Sequence, residues 1–332
     1  MQTASIAIES LCVPCQAHCR HCLLSAGGCV NGADPVRSMR FAASFLDWLR
    51  ENRPELHGMF YIGCCNDFPD LRAYLRFLRK YSPSLDVLQF NGLAFRDDAE
   101  LDALMLLLRE EGVRGVDLTF YGSGVTHDRF AGRKGDYSYN LRLIRKANKH
   151  GLAVHAGVVL VRETTESLSG LFRDLAVFDI EQYFTFLPHA KGRGLTLEPS
   201  RLRQEDFDRL CEPARAHFSR VPHKTEADWL REGHFPVPTR RSLTLALTQD
   251  NVASLEQTDP AETIAMLESL DDAFHAAMPS PAELALAVGQ PENRQLFRWR
   301  DLLLAWQKRW QQLHPLPVHD MTDERSHFSV RF

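Results

Sequence analysis

Through the first two thirds of the chain, short apolar runs of β type alternate with stretches whose apolar positions recur every three or four residues. Residues 5–8 read as a first strand that leads straight into a group of cysteines. The helix that follows is capped by Ser38 and carries Phe41, Phe45, Trp48 and Leu49 on one face. A second strand covers 59–62 and stops at Gly63. In the next helix Leu71, Tyr74, Leu75 and Leu78 form the apolar face, with Arg72, Arg76 and Arg79 on the solvated side. Residues 87–90 make a third strand, ending at Asn91-Gly92, and a helix over about 97–111 precedes a fourth strand at 115–120. A helix over roughly 137–150 is closed by Gly151, a usual C-terminal stop. The fifth strand, 152–161, is nearly all apolar, as expected when both faces are buried. A helix at 168–178 and a strand at 183–187 complete six β/α units. Such alternation predicts a parallel sheet curled into a barrel, so the fold class is α/β, a partial (β/α)6 barrel.

Past Cys211 the rhythm breaks. Pro213, Pro222, Pro236 and Pro238 punctuate a stretch with one β-like run at 242–248 and two helical stretches, 260–278 and 294–312. The second carries Phe297, Trp299, Trp306 and Trp310, which we read as packing residues, and the tail from His314 onward reads as poorly ordered. The expected organisation is a core barrel over 1–212 and a mostly helical extension over 213–332.

Composition narrows the function. The 332 residues are 44% hydrophobic and 25% charged, an ordinary globular balance. A net charge of −4 and a pI near 6.4 give no electrostatic footprint for nucleic acid. No apolar run is long enough to span a membrane, and no secretory pattern opens the chain, so neither nucleic acid nor membrane is expected as a partner and the address is cytoplasmic. Five of the eight cysteines (Cys12, Cys15, Cys19, Cys22, Cys29) fall within the first 29 residues. In a reducing compartment dense cysteines point to metal binding or redox chemistry rather than disulfides.

Cys15, Cys19 and Cys22 have the spacing C-x3-C-x2-C. Three thiolates on a tight loop can ligate three irons of a [4Fe–4S] cubane and leave the fourth open. The loop follows the first strand, and the C-terminal strand ends are where β/α barrels assemble chemistry. A structural zinc site that adds Cys64-Cys65 and His18 or His21 is a competing reading, as are free thiols.

The loop resembles the C-x3-C-x-aromatic-C motif of the radical S-adenosylmethionine (radical SAM) superfamily, and the likeness covers roughly residues 5–212. The resemblance implies that Cys15, Cys19 and Cys22 hold the cluster and that SAM chelates its open iron. Reduction would then split SAM into methionine and a 5′-deoxyadenosyl radical that takes hydrogen from a substrate. His21 stands at the motif's aromatic position and would pack on the adenine. Gly63-Cys64-Cys65 occupies the place of the family's Gly-Gly-Glu, which binds the SAM amino group, and keeps only its first glycine. Asn91-Gly92 matches the Asn-Gly that ends strand three, and Thr119 falls where many members place a strand-four serine near SAM. Thr119-Phe120-Tyr121-Gly122, then His127-Asp128 and Gly132-Arg133-Lys134-Gly135, resembles the S-L-D-G…H-D…R-G-x-x-G stretch of peptide maturases and sulfatase-maturing enzymes, with Tyr121 in place of the aspartate. Lys191-Gly192-Arg193-Gly194 resembles the same subgroup.

Members of that subgroup carry a C-terminal SPASM or twitch domain with auxiliary clusters. Here Cys211 is the one cysteine after residue 65, which leaves no set for an all-cysteine auxiliary cluster, and the strand at 242–248 with its helices reads as a degenerate remnant. The implied partners are a peptide or small-molecule substrate, a one-electron reductant such as flavodoxin or ferredoxin, and a separate peptide-recognition protein. Cys64 and Cys65 are candidate hydrogen-atom donors, and His155 and His189 are candidates for facing the substrate. Cys12, Cys29, Cys64 and Cys65 could together hold a second metal. A radical SAM enzyme acting on a peptide, one acting on a small molecule, and a non-catalytic Fe–S partner subunit are the three functional readings.

Overall fold

Strand β1 (Gln2–Ser10) opens a computed structural model that describes residues 2–10, 15–22, 33–62, 67–83, 86–190, 192–237 and 240–314, with no side-chain description at 61 and 62. Helix α1 (Pro35–Asn52) starts earlier than expected, because Asp34 caps it by accepting the Arg37 N–H at 2.7 Å and Pro35 suits the first turn. Ser38 is instead buried, its hydroxyl 2.8 Å from that of Ser10, so it ties α1 to the end of β1. Strand β2 (His57–Ile62) and helix α2 (Leu71–Tyr81) follow, then β3 (Val87–Gln89), α3 (Asp98–Glu110) and β4 (Gly115–Phe120). The arginines of α2 are not merely solvated: Arg72, Arg76 and Arg79 all reach the buried Glu111 that ends α3.

Helix α4 (Gly124–Ala131) is an element that the sequence analysis does not predict. Helix α5 (Asp136–Lys149), β5 (Ala153–Val159), α6 (Leu168–Leu175) and β6 (Gln182–Phe186) complete the six units. Short helices α7 (Gln204–Asp208) and α8 (Glu212–Ala216) lead to β7 (His223–Thr225) and α9 (Glu226–Glu232).

Strand β8 (Arg240–Leu247) then returns to the barrel. It pairs parallel with β1, from Ser5 opposite Ser242 to Ser10 opposite Leu247, giving the order β2-β1-β8 beside a second parallel sheet, β3-β4-β5-β6. The β-like run at 242–248 is thus a barrel strand. Leu243, Leu245 and Leu247 share its buried face just as Ile6 and Ile8 share that of β1. Among the described residues no ladder joins β2 to β3. The hydroxyl of Ser82 stands in at that edge, donating to the Phe60 carbonyl at 3.1 Å.

After α10 (Val252–Leu255), helix α11 (Pro260–Ala277) covers β8 through Arg241, which donates to the Glu268 carbonyl at 2.9 Å and pairs with Asp272 at 2.7 Å. Helix α12 (Pro281–Val288), β9 (Leu296–Arg298) and α13 (Trp299–Leu313) close the described chain. The final helix begins later than expected because residues 296–298 pair antiparallel with β7. Trp229, Leu284, Phe297, Trp299, Leu302 and Trp306 form a second core, which gives these aromatics the packing role expected of them. Among the described residues no helix is long and apolar enough to cross a membrane.

Strand alternation sorts the barrel into two faces. Val116, Leu118, Phe120, Val154, Ala156 and Val158 join the main core beneath the helices. The alternate positions, Glu9, Gln89, Asn91, Asp117, Thr119, His155 and Thr244, line the other face, so the barrel interior is polar. Burial pushes the Asp117 carboxyl up to about 6, and its Oδ1 is buried with no hydrogen-bond partner among the described residues. A carboxyl raised in the folded state favours folding at pH values below its unfolded value, and that advantage is lost as pH rises through 6. Asp117→Asn should therefore raise stability at pH 8 by about 1–3 kcal/mol and at pH 4 by no more than about 0.5 kcal/mol. Thermal melts at the two pH values check this, and an equal shift at both would refute the assignment.

Candidate functional site

The cysteine loop emerges at the C-terminal end of β1 and is fastened by backbone bonds to three separate parts of the fold. Gln16 N–H donates to the Gly92 carbonyl at 2.9 Å, just past β3. His18 and Arg20 donate to Ala131 and Phe130, at the end of α4, at 2.8 and 3.1 Å. Arg193, beyond β6, donates its N–H to the Cys22 carbonyl at 3.0 Å and its Nε–H to the Cys19 carbonyl at 2.9 Å. The motifs Asn91-Gly92, Phe130 to Gly132 and Gly192 to Gly194 thus converge on one loop.

Two of the glycines are required by contact. Gly92 has φ +81°, and a Cβ there would overlap the Cys15 sulfur; at Gly132, φ +65°, a Cβ would meet His18 backbone and side chain at about 3 Å. Gly92→Ala should displace Cys15 and cut iron uptake several-fold while the chain still folds, a result checked by iron analysis beside circular dichroism. Full iron content would show that the thiol is not held there.

Burial pushes the Cys15 thiol up and the Cys19 thiol up to about 12, with the neighbouring cysteines adding to both shifts. Buried thiols such as Cys15 and Cys19 ionise readily only against a strong positive charge, which bound iron would supply. Among the described residues no three His, Cys, Asp or Glu side chains converge on a single ion. The ligands of a cubane each take a different iron and need not converge on one point, so three partly buried thiols on one loop are compatible with three ligands of a [4Fe–4S] cluster.

Cys19 also accepts a hydrogen bond from the Tyr121 hydroxyl at 3.2 Å. Tyr121 is buried, and burial lifts its phenol well above the usual value, so it stays a donor. His21 packs beside the Tyr121 ring with centroids 5.0 Å apart. Burial holds its imidazole down at about 3, helped by His189 and Arg193, and its buried Nδ1 has no hydrogen-bond partner among the described residues.

Asn91 and Thr119 are brought together. The Asn91 side chain donates to the Thr119 carbonyl at 3.0 Å and accepts its N–H at 2.6 Å, which extends the β3–β4 pairing beyond the backbone ladder. The histidine–aspartate and arginine–glycine residues downstream form a scaffold behind the loop. Asp128 accepts the N–H groups of Gly135 and Tyr137 at 2.6 and 2.8 Å. His127 accepts the Tyr121 N–H at Nδ1, so its Nε2 carries the proton donated to Asp136 at 3.0 Å. Arg133 spans from the Leu93 carbonyl, at 2.7 Å, to Asp136.

The two histidine candidates lie apart. His155 sits level with Asp117 in the lower half of β5, its Nε2 3.1 Å from Glu181 and 3.5 Å from Arg114, two rungs below the Thr119–Gly157 pair. His189, past β6, is held down at about 4 by burial and by Arg298 and Arg300, and its Nδ1 lies 3.2 Å from the buried Asp301 of α13. It joins the barrel mouth to the C-terminal helices. Cys12, Cys29, Gly63, Cys64, Cys65 and Lys191 lie outside the described residues. Sequence reasoning did not single out Tyr121 and Arg193 as groups that touch the cysteine loop. Their place in the glycine-punctuated stretches 119–122 and 191–194 was the available signal.

No family model matches the chain, and no curated protein matches it in sequence. Among solved structures it is similar to Streptococcus suis SuiB, with a TM-score of 0.51 at 12% identity over 96% of this chain and 69% of SuiB. It is also similar to anSMEcpe with bound AdoMet, at 0.42 and 16% over 61% of this chain and 57% of that one. Escherichia coli coproporphyrinogen III oxidase (HemN), a radical SAM enzyme, matches at 0.37 and 16% over 74% of this chain and 63% of its own. The chain thus spans 57–69% of the lengths of these three proteins. What it shares with SuiB is the fold, the α/β partial barrel expected from the sequence.

Proposed function

We propose that the chain is a radical SAM enzyme whose Cys15, Cys19 and Cys22 bind three irons of a [4Fe–4S] cluster, and that it acts on a peptide or peptide-derived natural-product precursor. The observation that carries this reading is the fastening of the three-cysteine loop, at the C-terminal end of β1, to Gly92, Ala131 and Arg193. The cluster with SAM bound would supply a 5′-deoxyadenosyl radical that abstracts hydrogen. Within that scheme His21, neutral and packed on Tyr121, offers a flat edge and an unpaired Nδ1 to the cofactor. Asn91 and Thr119 hold β3 and β4 in register beneath the loop, and the polar interior from Glu9 to Thr244 receives a polar substrate.

The peptide reading rests on the stretch from Thr119 to Gly135, which resembles that of peptide maturases, and SuiB has been solved with its precursor peptide SuiA. A small-molecule substrate is the second reading, favoured by the single cysteine, Cys211, after residue 65. A flavodoxin- or ferredoxin-type donor would supply the electron in the cytoplasm. Anaerobic reconstitution with iron and sulfide, followed by reduction with SAM present, tests the proposal. About four irons per chain and formation of 5′-deoxyadenosine are expected. A full cluster without 5′-deoxyadenosine would favour a non-catalytic partner subunit, and bound zinc without iron would sink the reading.

A further inference from the structure

We infer that Tyr121 sets the reduction potential of the cluster by donating a hydrogen bond to the sulfur of Cys19. The inference rests on the cluster assignment above and adds a named residue that tunes it. The hydroxyl lies 3.2 Å from the sulfur, within range for a donor to a large, diffuse acceptor. Its ring has no room to turn. It stacks on Phe130 with centroids 4.8 Å apart, lies 5.0 Å from both His127 and His21, and is 1% exposed. The Tyr121 backbone N–H is tied to His127, and His127 in turn to Asp136, so the residue is held from behind as well. A buried phenol needs a partner, and the one it meets is a cluster ligand.

The consequence follows from where charge sits. A ligating thiolate pushes electron density onto its iron, and a hydrogen bond to the sulfur draws some of it back. The reduced cluster carries one more negative charge than the oxidised one, so the bond is stronger in the reduced state and favours reduction. The maturase stretch that this segment resembles has an aspartate at the position. A carboxylate there accepts and repels, whereas Tyr121 donates. Cys15 receives a backbone N–H, from Ala17, which substitution does not remove. Tyr121 offers a side chain that can be changed without altering the loop.

The test is a redox titration of full-length reconstituted protein followed by electron paramagnetic resonance, without SAM, on wild type and Tyr121→Phe. The variant should keep the wild-type iron content while its reduced-to-oxidised ratio at a fixed potential falls about tenfold, equal to about 59 mV for one electron. An unchanged midpoint with a full cluster overturns the inference. A wild type that takes up no four-iron cluster overturns the underlying assignment instead. Should Tyr121→Phe fail to load iron, 3-fluorotyrosine in place of the chain's seven tyrosines makes the donor stronger. The midpoint should then rise, and a fixed midpoint again overturns the inference.

Discussion

Replacing Cys15, Cys19 or Cys22 singly by alanine is expected to drop iron after anaerobic reconstitution from about four per chain to near zero, with 5′-deoxyadenosine falling below detection. On the proposed assignment each thiol would anchor a different iron, and two remaining anchors would leave two corners of a cubane open to solvent and loss. None of the three has a replacement among the described residues. His18 is exposed while its backbone N–H is bonded to Ala131, and the His21 ring packs against Tyr121 and Phe130. Cys211 packs against the main core at the start of α8, so Cys211→Ala should keep both iron and product and serves as the control. Retention of a full cluster in any two of the three single variants would sink the ligand assignment. Cys64→Ser and Cys65→Ser separate the alternatives: loss of zinc from the purified protein with iron uptake intact would bring back a structural zinc site.

The repeating units were legible because each carries its own local signal. Strand four was expected at 115–120 and is observed as Gly115–Phe120, since its boundaries coincide with the end of one amphipathic period and the turn at Tyr121-Gly122. Helix starts were less legible where two caps compete. Asp34-Pro35 wins over Ser38 because proline takes the first turn, where its missing N–H costs nothing. The strand at Arg240–Leu247 showed its alternation in the sequence, but not that its partner is β1, more than two hundred positions earlier. Long-range parallel pairing leaves no local mark.

The same division runs through the site. The spacing of Cys15, Cys19 and Cys22 is what the proposed cluster starts from, because ligand type and separation are written in the chain. The hold on that loop is not, because Gly92, Ala131 and Arg193 come from three distant elements. The motifs at Asn91-Gly92 and Gly132 carry no sign of what they touch, and it is the fold that places Cys15 over Gly92 and His18 over Gly132. His155 and His189 looked equivalent, each at or beyond a barrel strand. Register puts the first two rungs below Thr119, and Asp301, 112 positions later, claims the second.

That link from His189 to Asp301 depends on how α13 is seated, and the seat is Glu226. Its carboxylate is fully buried and accepts four partners: Gln290 N–H at 2.9 Å, Asn293 Nδ2 at 2.7 Å, Trp306 Nε1 at 2.7 Å and Arg309 Nη1 at 2.7 Å. Glu226→Ala removes the acceptor and strands a mostly buried guanidinium and a buried indole N–H. We expect a loss of about 3–5 kcal/mol, because the uncompensated charge costs more than the pair itself contributes. Denaturant unfolding followed by tryptophan fluorescence reads this directly, since Trp229, Trp299 and Trp306 share that core. Arg309 also pairs with Glu198 at 2.6 Å, so part of its charge stays compensated and the lower end of the range is the nearer estimate. Glu226→Ala combined with Arg309→Met should recover more than half of the loss, as the stranded cation is then gone. A loss below about 1 kcal/mol for Glu226→Ala, or no recovery in the double variant, would show that packing of Trp306 and its neighbours seats α13 without the carboxylate.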